Sequence, residues 1–202
     1  MTTLGFPLET PRLFLRPFED GDFEALYAIH SREDVTRFLD WEPPSRDDVR
    51  ALLNRIKPMT AIDPTGDALR LAALLREDRT LIGDFSLWRV TREHGEGEIG
   101  FVMHPDHHGH GYATEASLQL LKVGFELLGL HRIVGRCDAR NTASARLMER
   151  LGMRREAWFR QNEFLKGEWT DQLVYAILAS EWADRLDPGT LRRPSDQKPS
   201  TR

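Results

Sequence analysis

Residues 104–116 read His104-Pro105-Asp106-His107-His108-Gly109-His110-Gly111-Tyr112-Ala113-Thr114-Glu115-Ala116. They join a predicted strand, Glu98 to Met103, to a predicted apolar helix, Tyr112 to Leu128. The first N–H groups of a helix have no partner within it and lie at the positive end of its dipole, so they attract anions. Gly109 and Gly111 let the backbone approach a ligand closely. The pattern predicts a diphosphate site, although glycines that merely permit the turn would give the same sequence.

The chain before this turn predicts two helices and a meander of strands. The first helix carries Phe23, Leu26 and Tyr27 at helical spacing, with Asp20 or Asp22 as its cap. The second begins at a capping box of Ser45 and Asp48, and an irregular loop of residues 40–44 precedes it. Short apolar runs predict strands at Leu13 to Phe18, Leu69 to Leu75, Leu81 to Arg89 and Glu98 to Met103.

After the turn, Gly129 is placed to end the long helix, and Asn141 is placed to cap a further helix that ends at Gly152. Three more strands are predicted, at Arg132 to Cys137, Met153 to Phe164 and Trp169 to Ile177. We therefore expect one domain, residues 1–186, of the α+β (mixed α/β) class. Its mostly antiparallel sheet should have about seven strands, with helices on both faces. Residues 187–202, rich in Pro, Ser and charge, are predicted to be disordered.

Composition restricts the partners. The 202 residues carry a formal charge of -4, without the basic footprint of a nucleic-acid-binding protein. Neither a signal peptide nor a run of about 18 apolar residues is found, so we expect no membrane span and a cytoplasmic location. The single cysteine, Cys137, cannot form an internal disulfide and is interpreted as a small core residue.

The turn resembles the acetyl-coenzyme A signature of the GNAT superfamily of N-acetyltransferases, with His108, Gly111 and Ala113 at its three fixed positions. The string from Gly109 to Ala116 is similar to the branch that includes ribosomal-protein N-terminal alanine acetyltransferases. The resemblance covers about Pro11 to Trp182 and implies that acetyl-CoA is the co-substrate. His108 departs from the Gln or Arg usual there. The implied coenzyme A contacts are Met103, His108, Gly109, His110, Gly111, Tyr112, Ala113, Thr114 and Asn141.

A second stretch, Asn141 to Met153, is similar to another GNAT motif. Taken alone, Asn141 is an ordinary N-cap. The resemblance implies that it contacts the pantetheine arm. Met148 stands where the family often has a Tyr that protonates the coenzyme A thiolate, and methionine cannot donate a proton. The resemblance to the N-terminal acetyltransferase branch assigns that role to Ser144 instead.

Transfer of an acetyl group from a thioester to an amine needs a neutral amine, a polarised carbonyl and an acid for the thiolate. Glu98 is the candidate base, although a solvated strand carboxylate explains it as well, and Asp84 is a weaker candidate. Trp41 and Glu42 are the candidate acceptor-binding residues. We expect direct attack in a ternary complex, without a covalent enzyme intermediate. The acceptor is an amine, either a protein N-terminus or a small molecule; the oligomeric state is open, with a homodimer among the options.

The sequence is also compared with the patterns of other functions. Four histidines crowd the turn (His104, His107, His108 and His110), but a flexible Gly turn without nearby Cys or a matched acidic pair is a poor metal site, so we expect no metal. A dinucleotide-binding fold is disfavoured because Thr114 replaces the third glycine of its fingerprint. A non-catalytic acyl-CoA sensor and a nucleotide-binding or hydrolysing protein stay open as alternatives.

Overall fold

The computed structural model describes residues 4–63, 66–91 and 93–186. They form six α-helices, which are α1 (Phe23–His30), α2 (Glu33–Thr36), α3 (Arg46–Ile56), α4 (Tyr112–Lys122), α5 (Thr142–Arg150) and α6 (Ala179–Leu186). They form nine strands, which are β1 (Leu8–Glu9), β2 (Leu13–Pro17), β3 (Thr60–Asp63), β4 (Gly66–Leu75), β5 (Leu81–Thr91), β6 (Glu96–Met103), β7 (Arg132–Asp138), β8 (Arg154–Leu165) and β9 (Glu168–Leu178). None of the helices in these ranges is long and apolar enough to cross a bilayer.

All nine strands belong to one sheet, in the order β1-β2-β4-β5-β6-β7-β9-β8, with β3 paired to β4. Every pairing is antiparallel except that of β6 with β7. The parallel pairing covers only Glu96 to Glu98 on β6, whereas β6 stays paired with β5 as far as Met103. Beyond Glu98, β6 continues beside β5 while β7 continues beside β9 up to Asp138. The two strands are no longer paired there, and they leave a gap in the middle of the sheet.

Helices cover both faces of the sheet, as predicted. Alternate residues of β4 show this, because successive side chains of a strand point to opposite faces. Leu71 and Ala73 pack in one core cluster with residues of α4, α5 and α6, whereas Ala72 and Leu74 pack in a second cluster with residues of α1 and α3. The long helix after the turn is α4, which continues through a π-helical segment, Val123–Leu127, and Gly129 follows with a φ of 63°.

The fold class, the seven predicted strands and the four predicted helices are confirmed. Four elements were not predicted, β1, β3, α2 and α6: the first three have two to four residues each, and α6 follows β9 without a break. The capping box of Ser45 and Asp48 is present. Asp22 occupies the N-cap position of α1, one of the two predicted, but its carboxylate does not cap the helix and instead accepts hydrogen bonds from Arg16 and from the backbone N–H of Glu19. The tail predicted as disordered, 187–202, lies outside the described residues.

Candidate active site

A large cleft lies at the end of β6, where the gap between β6 and β7 opens, and continues past the start of α4. Its volume is about 1390 Å³, larger than the roughly 300–1,000 Å³ of ordinary small-molecule pockets. One wall is the turn before α4, and another is the first turn of α5. Residues 34, 35, 38 and 39, in and after α2, line it on the side of the sheet that α1 and α3 cover. An elongated ligand can therefore reach from the turn, through the gap, towards α2.

The turn has the backbone conformation that the sequence predicted. Gly109 and Gly111 have φ values of 80° and 81°, in the left-handed region that favours glycine. Gly111 is the N-cap residue of α4, and no side chain caps the helix, so its first N–H groups are left for an external acceptor. A Cβ built on Gly109 would have no atom within 4 Å. This is the geometry expected of a diphosphate cradle.

His108 lines the cleft, and its Nε2–H donates to the carbonyl oxygen of Met103 over 3.2 Å. The imidazole is thus tied to the end of β6. This bond holds the strand end against the turn, and it occupies one lone pair of the Met103 oxygen. Phe101 and Val102, which precede Met103 on β6, line the same cleft.

The first turn of α5 brings two predicted residues into the cleft, Asn141 and Ser144. Asn141 caps the helix through Oδ1, which accepts from the Ser144 backbone N–H over 3.1 Å. Its amide NH₂ group is not used in that cap. Met148 is fully buried, and its sulfur lies against Gly135 of β7, so it belongs to the core and offers no proton donor to the cleft. Ser144, the residue predicted to protonate the thiolate, therefore lies at the cleft.

Of the predicted coenzyme A contacts, eight line the cleft, and His110 does not. The His110 ring packs against Tyr112, with 5.8 Å between ring centroids. Among the predicted catalytic and acceptor residues, Glu98, Trp41 and Glu42 also lie outside the lining. Glu98 accepts a hydrogen bond from Arg136 over 2.7 Å, and the exposed Glu42 pairs with Lys166 over 3.3 Å. Trp41 lines a separate cavity.

Asp84 is not suited to act as a base. It is completely buried, and it accepts hydrogen bonds from Arg70 at 2.8 and 2.6 Å, with His30 Nε2 at 3.0 Å. Burial by itself raises the pKa of this carboxyl, but the charge and hydrogen bonds of Arg70, with those of His30, lower it to about 2. A carboxylate that holds its charge so strongly is a poor proton acceptor near neutral pH.

Two residues at the N-terminal edge of the cleft were not predicted from the sequence. Thr10 and Arg12 line it, and both bind Glu115 in the first turn of α4. Thr10 Oγ1 donates to Glu115 Oε1 over 2.6 Å, and Arg12 Nε donates to Oε2 over 2.7 Å. Arg12 also donates through Nη1 to the carbonyl oxygen of His110 over 2.9 Å. These contacts join residues more than 90 positions apart, so no spacing in the sequence reveals them.

Cationic side chains also line the cleft away from the turn. They are Lys122 at the end of α4, Arg150 at the end of α5 and Arg185 on α6. Arg150 Nε lies 3.4 Å from Thr114 Oγ1, and Arg185 donates to the Arg150 carbonyl oxygen over 3.1 Å. Positive side chains at helix C-termini are common, so their places in the sequence do not assign them to a site.

Cys137, on β7, is not an activated nucleophile. Burial, followed by the charge of Asp138, raises the pKa of its thiol to about 11. The thiol therefore stays protonated near neutral pH, and the thiolate is the nucleophilic form. Within the described ranges, the acidic, His and Cys side chains form no group of three that could hold a metal ion.

The family described as acetyltransferase (GNAT) domain matches residues 12–154, which include the turn, the gap and the first turn of α5. The chain belongs to the GNAT acetyltransferase family. It is therefore a GNAT-type N-acetyltransferase, and the family uses acetyl-CoA. The cradle before α4 fits that co-substrate, because open helix N–H groups suit its diphosphate.

Proteins similar to this chain are also named as acetyltransferases. An uncharacterised N-acetyltransferase of Bacillus subtilis, YnaD, is 35% identical over 176 residues, which are 87% of this chain and 98% of that protein. A spermidine N(1)-acetyltransferase of Vibrio cholerae is 25% identical over 177 residues, 87% of this chain and 98% of that protein. The crystal structure of a GNAT acetyltransferase from Bacillus anthracis has a TM-score of 0.76 and 33% identity, and the match covers 85% of this chain and 98% of that one.

Proposed function

We propose that this enzyme transfers the acetyl group of acetyl-CoA to the primary amine of a small molecule, by direct attack in a ternary complex. The observation that carries the proposal is the cleft itself, which joins the cradle before α4 to the α2 side of the sheet through the gap between β6 and β7. Donor and acceptor can then meet in the gap from opposite ends. Bringing two substrates together in this way removes much of the entropic barrier of a bimolecular reaction.

The donor is held, in this proposal, by the backbone of residues 109–114 at the diphosphate and by Asn141 at the pantetheine arm. The thioester carbonyl lies beside the end of β6. Ser144, which lines the cleft, gives its proton to the departing thiolate as the C–S bond breaks, and the new amide bond leaves the acceptor nitrogen with a proton to lose. Because Cys137 is protonated, an acetyl-cysteine intermediate is not part of the proposal.

The base that removes the amine proton is proposed to be Glu98, acting through water. Glu98 lies on β6, and its side chain is one-third exposed, so water can reach it. A test is a pH profile of kcat/KM for Glu98→Gln beside Glu96→Gln on the same strand. Loss of the acid limb in Glu98→Gln alone supports the assignment, and identical profiles in both variants remove it.

A small amine is favoured over a protein N-terminus because the side chains that line the α2 end of the cleft are three apolar ones and one carboxylate. Val35, Phe38 and Leu39 offer apolar contact there, and Asp34 is the carboxylate among the lining residues of this end. The lysine at the tip of the β8–β9 hairpin, Lys166, donates to the Thr36 carbonyl oxygen over 2.9 Å and so closes the hairpin onto α2. The spermidine acetyltransferase of Vibrio cholerae is a relative with an acceptor of this class.

The deciding experiment follows free thiol while purified enzyme and acetyl-CoA meet a panel of acceptors. The panel contains polyamines, aminoglycosides, monoamines and short peptides with free N-termini, including alanine-starting ones. Turnover of a small amine at least about tenfold above the best peptide supports the proposal. Preference for a peptide points instead to the ribosomal-protein branch that the turn sequence resembles. Binding of acetyl-CoA without thiol release from any acceptor would make the protein an acyl-CoA sensor.

We also propose that the protein works in a reducing, cytoplasmic environment. Its one cysteine is a free thiol on a core strand. Proteins of oxidising compartments more often carry paired cysteines.

A further inference from the structure

We propose that a second cavity, between α1, α3 and β4, binds a small carboxylate with an apolar body. Its volume is about 500 Å³, and it shares no lining residue with the cleft. That volume lies within the roughly 300–1,000 Å³ typical of small-molecule sites. The inference does not depend on acetyl transfer.

A rigid polar group forms the floor of this cavity. His30 and Arg70 line it, and both bind Asp84, which lies behind them and is completely buried. Trp41 also lines it and stacks on His30, with 5.8 Å between ring centroids and 15° between ring planes. A buried polar network whose charges are compensated holds its members in fixed positions. The cavity is therefore built in advance of any ligand.

Hydrogen-bond donors around the cavity outnumber acceptors. Arg70 uses Nε and Nη2 for Asp84, and its Nη1 makes no hydrogen bond to the described part of the chain. The Trp41 indole N–H is buried without an acceptor. Arg55, on α3, is exposed and has no ion pair among residues 4–63, 66–91 and 93–186. A ligand that fits this arrangement supplies acceptor oxygens.

The one carboxylate at the rim does not offset these donors. Oδ2 of Asp48 accepts from the backbone N–H and the hydroxyl of Ser45, at 3.0 and 2.6 Å, and so serves the capping box of α3. The remaining lining residues are apolar, namely Pro44, Ala51 and Leu52. Arginine binds carboxylates through paired, charge-assisted hydrogen bonds. Apolar walls with arginine donors therefore select a carboxylate carried on an apolar group.

The test uses the full-length protein and two probes of nearly equal size, benzoate and benzyl alcohol, with calorimetry as the readout. Benzoate should bind, and the alcohol should bind at least about tenfold more weakly because it lacks the charge. Arg55→Gln should raise the Kd for benzoate about fivefold or more. Arg146→Gln removes an exposed arginine of α5 that lines neither cavity, so it should leave the Kd unchanged. Saturating coenzyme A should not displace benzoate.

The proposal is overturned if benzoate does not bind, if the alcohol binds equally well, or if Arg55→Gln and Arg146→Gln behave alike. Displacement of benzoate by coenzyme A overturns it as well, because the probe would then occupy the cleft. Leu52→Trp fills the cavity from α3 and gives an independent check. The Leu52→Trp variant should not bind benzoate, whereas its affinity for coenzyme A should stay at the wild-type value. Retained benzoate binding would also overturn the proposal.

Discussion

Arg12 and Glu115 form an ion pair across the start of α4, with Arg12 Nε 2.7 Å from Glu115 Oε2. The pair places a carboxylate in the first turn of the helix that should bind a diphosphate. Although burial raises the pKa of Glu115, hydrogen bonds from Thr10 and from the Arg12 backbone and side chain lower it, so the group is charged. Arg12 cancels this charge next to the site. The guanidinium also lies 4.5 Å from the centre of the Tyr112 ring.

Arg12→Gln should therefore weaken binding of coenzyme A, because an uncompensated carboxylate then faces the diphosphate. A charge at a helix end contributes about 0.3–1 kcal/mol at exposed sites and up to about 2 in buried ones. Arg12 is half exposed, so we expect a loss of about three- to tenfold in affinity, smaller at high salt. Calorimetry at two salt concentrations measures it.

Two controls separate electrostatics from structure in the Arg12 experiment. The double variant Arg12→Gln/Glu115→Gln also lacks the uncompensated carboxylate, so it should recover part of the lost affinity for coenzyme A. Pantetheine, which has no diphosphate, should bind both single and double variants like the wild type. An equal loss for pantetheine and coenzyme A would mean that Arg12 acts by holding the fold alone.

Gly111 and Gly129 provide a matched pair of glycines. Both have positive φ, 81° and 63°, but Gly111 lies in the cradle, and Gly129 ends the long helix with nothing within 4 Å of an added Cβ. Each Gly→Ala change should cost about 1 kcal/mol of stability through the left-handed backbone. Only Gly111→Ala should also weaken coenzyme A binding, since its Cβ enters the cradle 3.4 Å from Arg12 Nη2. Thermal melts with and without coenzyme A measure both effects, and equal ligand-induced shifts in the two variants would contradict this assignment.

Ser144→Ala should lower kcat about 100-fold, the low end of the contribution of a general acid, and leave coenzyme A affinity unchanged. The backbone N–H that Asn141 Oδ1 caps is still present in this variant, so stability should hardly change. Asn141→Ala is the contrasting variant, because it loses the cap, at about 1 kcal/mol, together with the amide that faces the cleft. Steady-state kinetics with the best acceptor decides the matter, and an undiminished kcat in Ser144→Ala removes the serine from the mechanism.

The sequence was sufficient for the parts of the site that are local in the chain. The two glycines, the helix start and the Asn141 cap are each specified within a few residues, so their geometry could be predicted from propensity and spacing. The alternating runs of β4 to β6 likewise revealed the sheet. Those features reflect short-range physics, in which φ preferences, capping and side-chain periodicity decide the outcome.

Long-range contacts were beyond the sequence analysis. In the sequence Glu115 is an ordinary first-turn carboxylate. Its partner Arg12 lies 103 positions earlier in the chain, and only the fold brings the two together. From the sequence Asp84 is a weak base candidate, because nothing in the sequence reveals that His30 and Arg70 converge on it. The sequence predicts that the loop with Trp41 contributes to the acceptor pocket, whereas the structure places Trp41 over a separate cavity. The role proposed for Glu98 stays a prediction, since its position on β6 does not by itself bring it to the cleft.

The Asp84 carboxylate makes stability depend on pH in a way that can be measured. Its pKa falls from an ordinary 3.8 to about 2 in the folded protein. Because the folded pKa is the lower one, the stabilisation is fully present above about pH 4 and is lost as the pH falls through 2. The difference corresponds to a contribution on the order of 2 kcal/mol.

Asp84→Asn should therefore be less stable than the wild type near neutral pH, and the gap in unfolding free energy should narrow between about pH 4 and pH 2. The variant also loses the ion pair with Arg70, and this penalty does not vary with pH over this range. Titration of the carboxylate is therefore measured by how the difference in unfolding free energy changes with pH, and not by the size of the difference. Asp34→Asn is the control, because Asp34 is exposed and its pairing with Arg32 is screened by water. Urea unfolding followed by circular dichroism at several pH values gives the slopes. A gap for Asp84→Asn that stays constant from pH 6 to pH 2.5 would show that the buried carboxylate does not titrate as the structure requires.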